Sequence, residues 1–188
     1  MRLFWIVTLW FGLGGPIAAQ EVDMSRLPAA LPERMIKEMQ RRPDKFIEEA
    51  AILIMGFGGE AGVDAAGIER SIQLERAWVR SREIRRLMVA DLDADQSVTM
   101  DEIRVLIAAE RAGKRGLLLL GFQAADLDGD AVVTQAELQS HANARAMAGF
   151  SEKDAARLRA FMGFDLNSDG LVQLSEVAQV VKTFAPES

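Results

Sequence analysis

Asp91-Leu92-Asp93-Ala94-Asp95-Gln96-Ser97-Val98-Thr99-Met100-Asp101-Glu102 is one of three stretches built to the same design. The others are Asp126-Leu127-Asp128-Gly129-Asp130-Ala131-Val132-Val133-Thr134-Gln135-Ala136-Glu137 and Asp165-Leu166-Asn167-Ser168-Asp169-Gly170-Leu171-Val172-Gln173-Leu174-Ser175-Glu176. Each opens on Asp, places oxygen-bearing side chains at the third, fifth and ninth positions, and closes on Glu at the twelfth. Oxygens that recur every second residue along a tight loop can converge on one centre. Calcium takes six to eight oxygen ligands at about 2.3–2.6 Å, and one such loop can supply most of them. Calcium, up to three ions, is therefore the expected ligand. All-oxygen donors argue against zinc and copper, and large flexible loops favour calcium over magnesium.

The expected donors follow position by position. In the first loop Asp91, Asp93 and Asp95 give side-chain oxygens and Glu102 closes the shell, while a resemblance of the loop to EF-hand loops implies a backbone carbonyl from Ser97 and a ligand or a ligand-bound water at Thr99. The second loop matches with Asp126, Asp128, Asp130, Val132, Thr134 and Glu137, and the third with Asp165, Asn167, Asp169, Leu171, Gln173 and Glu176. A solvated acidic turn is the alternative for any one of them. The flanks weigh against it. Ile84, Leu87 and Met88 precede the first loop at the offsets that Leu119, Phe122 and Gln123 keep before the second and Leu158, Phe161 and Met162 before the third. After the closing Glu stand Ile103, Leu106 and Ile107, then Leu138, His141 and Ala142, then Val177, Val180 and Val181. These spacings put each trio on one helix face, so every loop is set between two amphipathic helices.

Over about residues 80–184 the three units resemble EF-hands, the helix–loop–helix motif of the calmodulin superfamily. The resemblance implies an all-α fold in which hands pair through a short antiparallel bridge between their eighth loop residues, here Val98, Val133 and Val172. It also implies a left-handed turn at the sixth position, where Gly is usual. Only Gly170 obeys; Gln96 and Ala131 stand in the other loops, and weaker binding is expected there. Three hands leave one unpaired. One period upstream, residues 56–67 keep an apolar skeleton in Ile52, Leu53, Val63, Ile68 and Ile72. They carry Gly56, Gly58 and Gly67 at the first, third and twelfth positions, with only Glu60 and Asp64 as carboxylates. This reads as a degenerate, metal-free hand; an ordinary glycine-rich loop is the alternative. The expected organisation is a lead-in and short helix over 20–42, a pair over 43–112 (degenerate hand 43–78, hand 79–112) and a second pair over 117–184. Gly113-Lys114-Arg115-Gly116 is read as the linker between them.

The bulk numbers agree with a small folded protein. The chain has 188 residues, 49% of them hydrophobic, and a net charge of −6. Twelve of its 28 acidic side chains lie in the three loops, so the acidity needs no separate explanation. Cysteine is absent, which excludes disulfides, thiolate metal sites and cysteine catalysis. Met1-Arg2, the apolar run Leu3–Leu13 and Ile17-Ala18-Ala19 read as a signal peptide cut after Ala19, which implies an extracytoplasmic chain, fitting a bacterial periplasm. An uncleaved anchor is the alternative, and the only expected route to a membrane; the run is short against the roughly 20 residues a span needs.

Few residues point to anything else. His141 is the single histidine, has no partners for catalysis, and is expected in or near the core. Six arginines between Arg70 and Arg86, with Trp78 among them, suggest a membrane or partner surface. Glu69, Glu75 and Glu83 are interleaved, however, and a solvated helix face is expected. No phosphate loop or nucleophile elbow appears, and neither an enzyme nor a nucleic-acid binder is expected. The expected role is that of a non-catalytic calcium sensor or buffer, a sensor meeting a protein partner through a calcium-exposed apolar groove. The alternative is a calcium-stabilised accessory subunit of a larger complex.

Overall fold

The computed structural model describes residues 31–184; the expected leader over 1–19 and most of the lead-in lie outside the described residues. Within them the chain is all-α. The helices are α1 (Glu33–Arg41), α2 (Pro43–Phe57), α3 (Ala65–Met88), α4 (Met100–Ala108), α5 (Ala112–Ala125), α6 (Gln135–Gly149), α7 (Glu152–Arg159) and α8 (Leu174–Phe184). Two two-residue strands, β1 (Val98–Thr99) and β2 (Val132–Val133), form the only sheet among the described residues, and a 3-10 turn covers Ala160–Phe164.

Local chemistry sets the helix starts. Pro43 occupies the first turn of α2, where its missing N–H costs nothing. Thr99, Thr134 and Ser151 open α4, α6 and α7 through reciprocal bonds with Glu102, Glu137 and Asp154, each pair satisfying two otherwise orphaned N–H groups. Asp64 caps α3, accepting from Gly67 N at 2.7 Å.

Two apolar clusters hold the helices. One joins Met35, Met39, Phe46, Ile54, Val63, Ile68 and Ile72 from the first part of the chain to Phe161, Phe164, Val172, Val177 and Val180 from the last. The other gathers Leu87, Val98, Ile103, Phe122, Val133 and Leu138 from the middle. The bridges follow the clusters. β1 and β2 pair antiparallel with Val98 opposite Val133, while Val63 pairs with Val172, exchanging N–H···O bonds of 3.0 and 2.8 Å.

The expected consecutive pairs, 43–112 and 117–184, therefore do not form. The units are nested: first with fourth, second with third. The cause lies in the connectors. A single continuous helix, α3, joins the glycine-rich loop to the first acidic loop, and its 24 residues hold their ends about 36 Å apart. Between the first and second acidic loops the chain turns back at residues 109–111, so β1 and β2 can meet. The expected linker at 113–116 is helical instead, forming the first turns of α5. Gly113 and Gly116 are exposed there with nothing near their missing side chains, so their cost is conformational, about 1 kcal/mol each. Burial of Phe122 and Ala125 farther along α5 offsets it.

The two clusters are fastened along α3 and α6. Val79 packs against Gly149, and Arg76 donates to the Phe150 carbonyl at 3.3 Å and to Glu152 at 3.0 Å. Arg159 binds both Glu69 and Glu152.

Candidate metal centre

In the first two acidic loops the opening aspartates converge. One oxygen from each of Asp91, Asp93 and Asp95 lies within 4.8 Å of the others, and Asp126, Asp128 and Asp130 do the same. Oxygens shared by one ion lie at most about 5 Å apart, so each cluster could hold a metal ion. Asp91 Oδ1 is buried and has no hydrogen-bond partner among the described residues. An orphaned carboxylate oxygen is costly unless something positive meets it. In the third loop Asp165, Asn167 and Asp169 stand at the matching positions, with the Asn167 amide donating to Asp169 at 2.9 Å. The donor sets of the first two loops could hold a metal ion; the third loop brings no such trio of carboxylates together among the described residues.

Backbone amides arrange these carboxylates. Asp91 Oδ2 accepts from Gln96 N at 3.1 Å, Asp126 Oδ2 from Ala131 N at 3.1 Å and Asp165 Oδ2 from Gly170 N at 2.9 Å. The fifth residues Asp95, Asp130 and Asp169 each accept from the N–H two residues on, at 2.8 Å. These bonds need a sharply turned chain. The sixth residues Gln96, Ala131 and Gly170 have φ of 71°, 68° and 84°. Two non-glycine residues thus occupy the left-handed region, at roughly 1–2 kcal/mol each.

The closing glutamates reach back across their loops. Glu102 accepts from Leu92 N and Thr99 N, Glu137 from Leu127 N and Thr134 N, and Glu176 from Leu166 N and Gln173 N, all at 2.8–2.9 Å. The Thr99 N–H, then the Leu92 N–H and the Thr99 hydroxyl, hold the Glu102 carboxyl below its ordinary value. The Thr134 N–H and hydroxyl, with Leu127 N–H, lower Glu137 to about 2. Both stay ionised at neutral pH. The two aspartate clusters include neither glutamate. The ninth-position hydroxyls of Thr99 and Thr134 are bonded to the closing glutamates, so the helix cap uses them. Ser97, Val132 and Leu171 follow directly on the turn, next to the bridge residues.

The glycine-rich loop differs at its core. Its exit side matches the acidic loops: Val63 forms the bridge and Asp64, at the ninth position, caps the next helix. Its entrance does not. α2 runs on through Phe57, two residues into the expected loop, so Ile52, expected on the inner face, is 67% exposed and Ile54 is buried instead. A Cβ on Gly58 would stand 2.0 Å from the Gly62 carbonyl oxygen, and one on Gly67 2.6 Å from Val63 Cγ2. The loop is filled by its own chain where the others open around their carboxylates.

His141 is half-buried, its Nδ1 3.1 Å from the Ala124 carbonyl. A carbonyl only accepts, so that nitrogen carries the proton. Sequence reasoning missed Asp64 as a cap and the Arg76–Glu152–Arg159–Glu69 network; the latter joins residues far apart in the chain and leaves no local signal.

The fold and site define a class: an all-α protein with two aspartate clusters and a third oxygen-rich loop of the same form. Comparison with protein-family models, with curated proteins and with solved structures gave no match.

Proposed function

We propose that this protein is a non-catalytic calcium binder of the EF-hand type, exported to the periplasm, with three metal-competent hands and one degenerate hand. The unpartnered buried oxygen of Asp91, at the head of a cluster of three convergent carboxylates, carries the reading. Asp91, Asp93, Asp95 and Glu102 would hold one ion with the Ser97 carbonyl; Asp126, Asp128, Asp130 and Glu137 a second with Val132; Asp165, Asn167, Asp169 and Glu176 a third with Leu171. Thr99, Thr134 and Gln173 would act through water. Calcium supplies positive charge that draws these oxygens together and tightens each loop against its two helices.

Nesting supports two binding classes. The first and second loops share a two-stranded bridge, so tightening one favours the other. The third is bridged to a loop packed with its own backbone and has no metal-binding partner. Calorimetric titration tests this. We expect three ions per chain, two bound cooperatively and one independently; no uptake at millimolar calcium overturns the assignment.

One observation favours an interaction subunit as a second reading. A groove of about 520 Å³ between α2, α3 and α7 is lined by Phe46, Leu53, Phe57, Phe150, Leu158 and Phe161 and is already open. A hydrophobic dye binding equally with and without calcium favours that reading; dye binding that rises with calcium favours a sensor.

A further inference from the structure

The first two acidic loops form a matched pair. Each offers Asp at its first, third and fifth positions, Thr at the ninth and Glu at the twelfth. Their closing glutamates accept the same bonds, from Leu92 and Thr99 in one loop and from Leu127 and Thr134 in the other. Their sixth residues, Gln96 and Ala131, turn left-handed alike, at φ 71° and 68°. The extra acid of the first loop, Asp101, is paired with Arg104 at 2.6 Å. Side-chain donors and turn strain therefore do not rank the two.

One atom does. Asp126 Oδ1 accepts the Gly129 N–H at 2.8 Å, and Asp165 Oδ1 in the third loop accepts the Asp169 N–H at 3.2 Å. Asp91 Oδ1 is buried with no hydrogen-bond partner among the described residues. The fourth residue marks the difference. Gly129 stands at φ 78° and its N–H reaches back to Asp126, whereas Ala94, at φ 62°, gives Asp91 no such bond. One bond runs the other way: the Ser97 hydroxyl donates to Asp95 Oδ1 at 2.6 Å, where the second loop has Val132. A hydroxyl turns about its own bond and yields to a cation, while the Gly129 N–H is fixed in the backbone.

We infer that within this bridged pair the first loop takes the first ion, and that Asp91 Oδ1 sets the order. The inference rests on the calcium-binding reading and ranks two of its sites. A carboxylate oxygen that already accepts an N–H gains less from a cation than one withdrawn from water without a donor. A hydrogen bond to a charged group is worth roughly tenfold in an equilibrium constant, which sets the size of the gap. The second loop then follows through the bridge that pairs Val98 with Val133.

The test removes the coupling. In the full chain, Glu137→Gln with Glu176→Gln leaves the first loop intact, and Glu102→Gln with Glu176→Gln leaves the second. Calorimetric titration with calcium should show the first of these binding about tenfold more tightly, with circular dichroism alike in both. The single variants carry the same comparison with the third loop intact: Glu102→Gln should lose more affinity than Glu137→Gln. Ala94→Gly, added to the chain that keeps only the first loop, gives it the second loop's fourth residue and should close most of the gap. Equal or reversed affinities overturn the proposal, and so does a gap that survives Ala94→Gly. Calcium uptake by the wild type beside a reversed order removes this inference alone. No uptake by the wild type removes the calcium reading and this order with it.

Discussion

Glycine should stabilise the second acidic loop, and alanine should destabilise the third. Ala131 sits at φ 68° and Gly170 at φ 84°, both at the sixth position of their loops. Left-handed backbone costs a residue with a Cβ roughly 1–2 kcal/mol. Glycine at Ala131 relieves that strain but gives the unfolded chain more freedom, worth about 0.4–1 kcal/mol in the opposite direction. The net expected gain for Ala131→Gly is about 0.5–1 kcal/mol. Gly170→Ala should lose a similar amount, and no contact confuses the comparison, because nothing lies within 4 Å of where the new Cβ would stand. Both loops also keep the amide bond to their first aspartate, since neither change removes an N–H. Urea unfolding in chelator reads the difference. With a slope of about 2 kcal/mol/M, the midpoints should move by roughly 0.3–0.5 M in opposite directions. The same variants titrated with calcium should gain and lose affinity in the same order. A neutral or stabilising Gly170→Ala beside a destabilising Ala131→Gly would refute the strain argument.

Three further outcomes are expected. Changing Glu102, Glu137 or Glu176 singly to Gln should remove or weaken one calcium site each in calorimetry, and unchanged stoichiometry and affinity in all three would show the loop assignment wrong. Phe122→Ala, at a fully buried position, should cost about 3–5 kcal/mol in urea unfolding, whereas Trp78→Ala should stay within about 0.5 kcal/mol. The Arg159 guanidinium holds Glu69 and Glu152 below their ordinary value of 4.5. Depressed carboxylates stabilise the fold above that value and lose the contribution as pH falls through their lowered ones. The melting-temperature gap between the wild type and Arg159→Met should therefore be steady from pH 7 to about 5 and shrink below pH 4.5. A gap independent of pH would rule the network out as its source.

The acidic loops were legible because the spacing of their oxygen-bearing side chains and the flanking apolar positions are both local. Thr99 with Glu102 and Thr134 with Glu137 spell both the end of a loop and the start of a helix. The left-handed sixth residue followed from the resemblance alone, since Gln96 and Ala131 carry no local signal for it. Pairing was not, because the bridge residues are all valine: Val63, Val98, Val133 and Val172 look alike, and nothing in them names a partner. The deciding signal lay in the connectors. An unbroken helical pattern from about Ile68 to Ala90 forbids its two flanking loops from meeting, whereas two glycines at 113 and 116 suggested a break that exposed helix tolerates. The glycine-rich loop misled in a different way. Its twelve-residue register holds on the exit side only, since α2 extends through Phe57 and turns Ile52 outward.

Nesting also orders assembly in time. Val98 and Val133 are 35 residues apart, a closure that the α4–α5 turn makes local. Val63 and Val172 are about 110 residues apart, and their loop-closure entropy is paid only when nearly the whole chain is present. The inner pair can therefore condense first and shorten the path between the outer halves. The earliest-made unit, with its glycine-rich loop, must wait for the last one before its core can close.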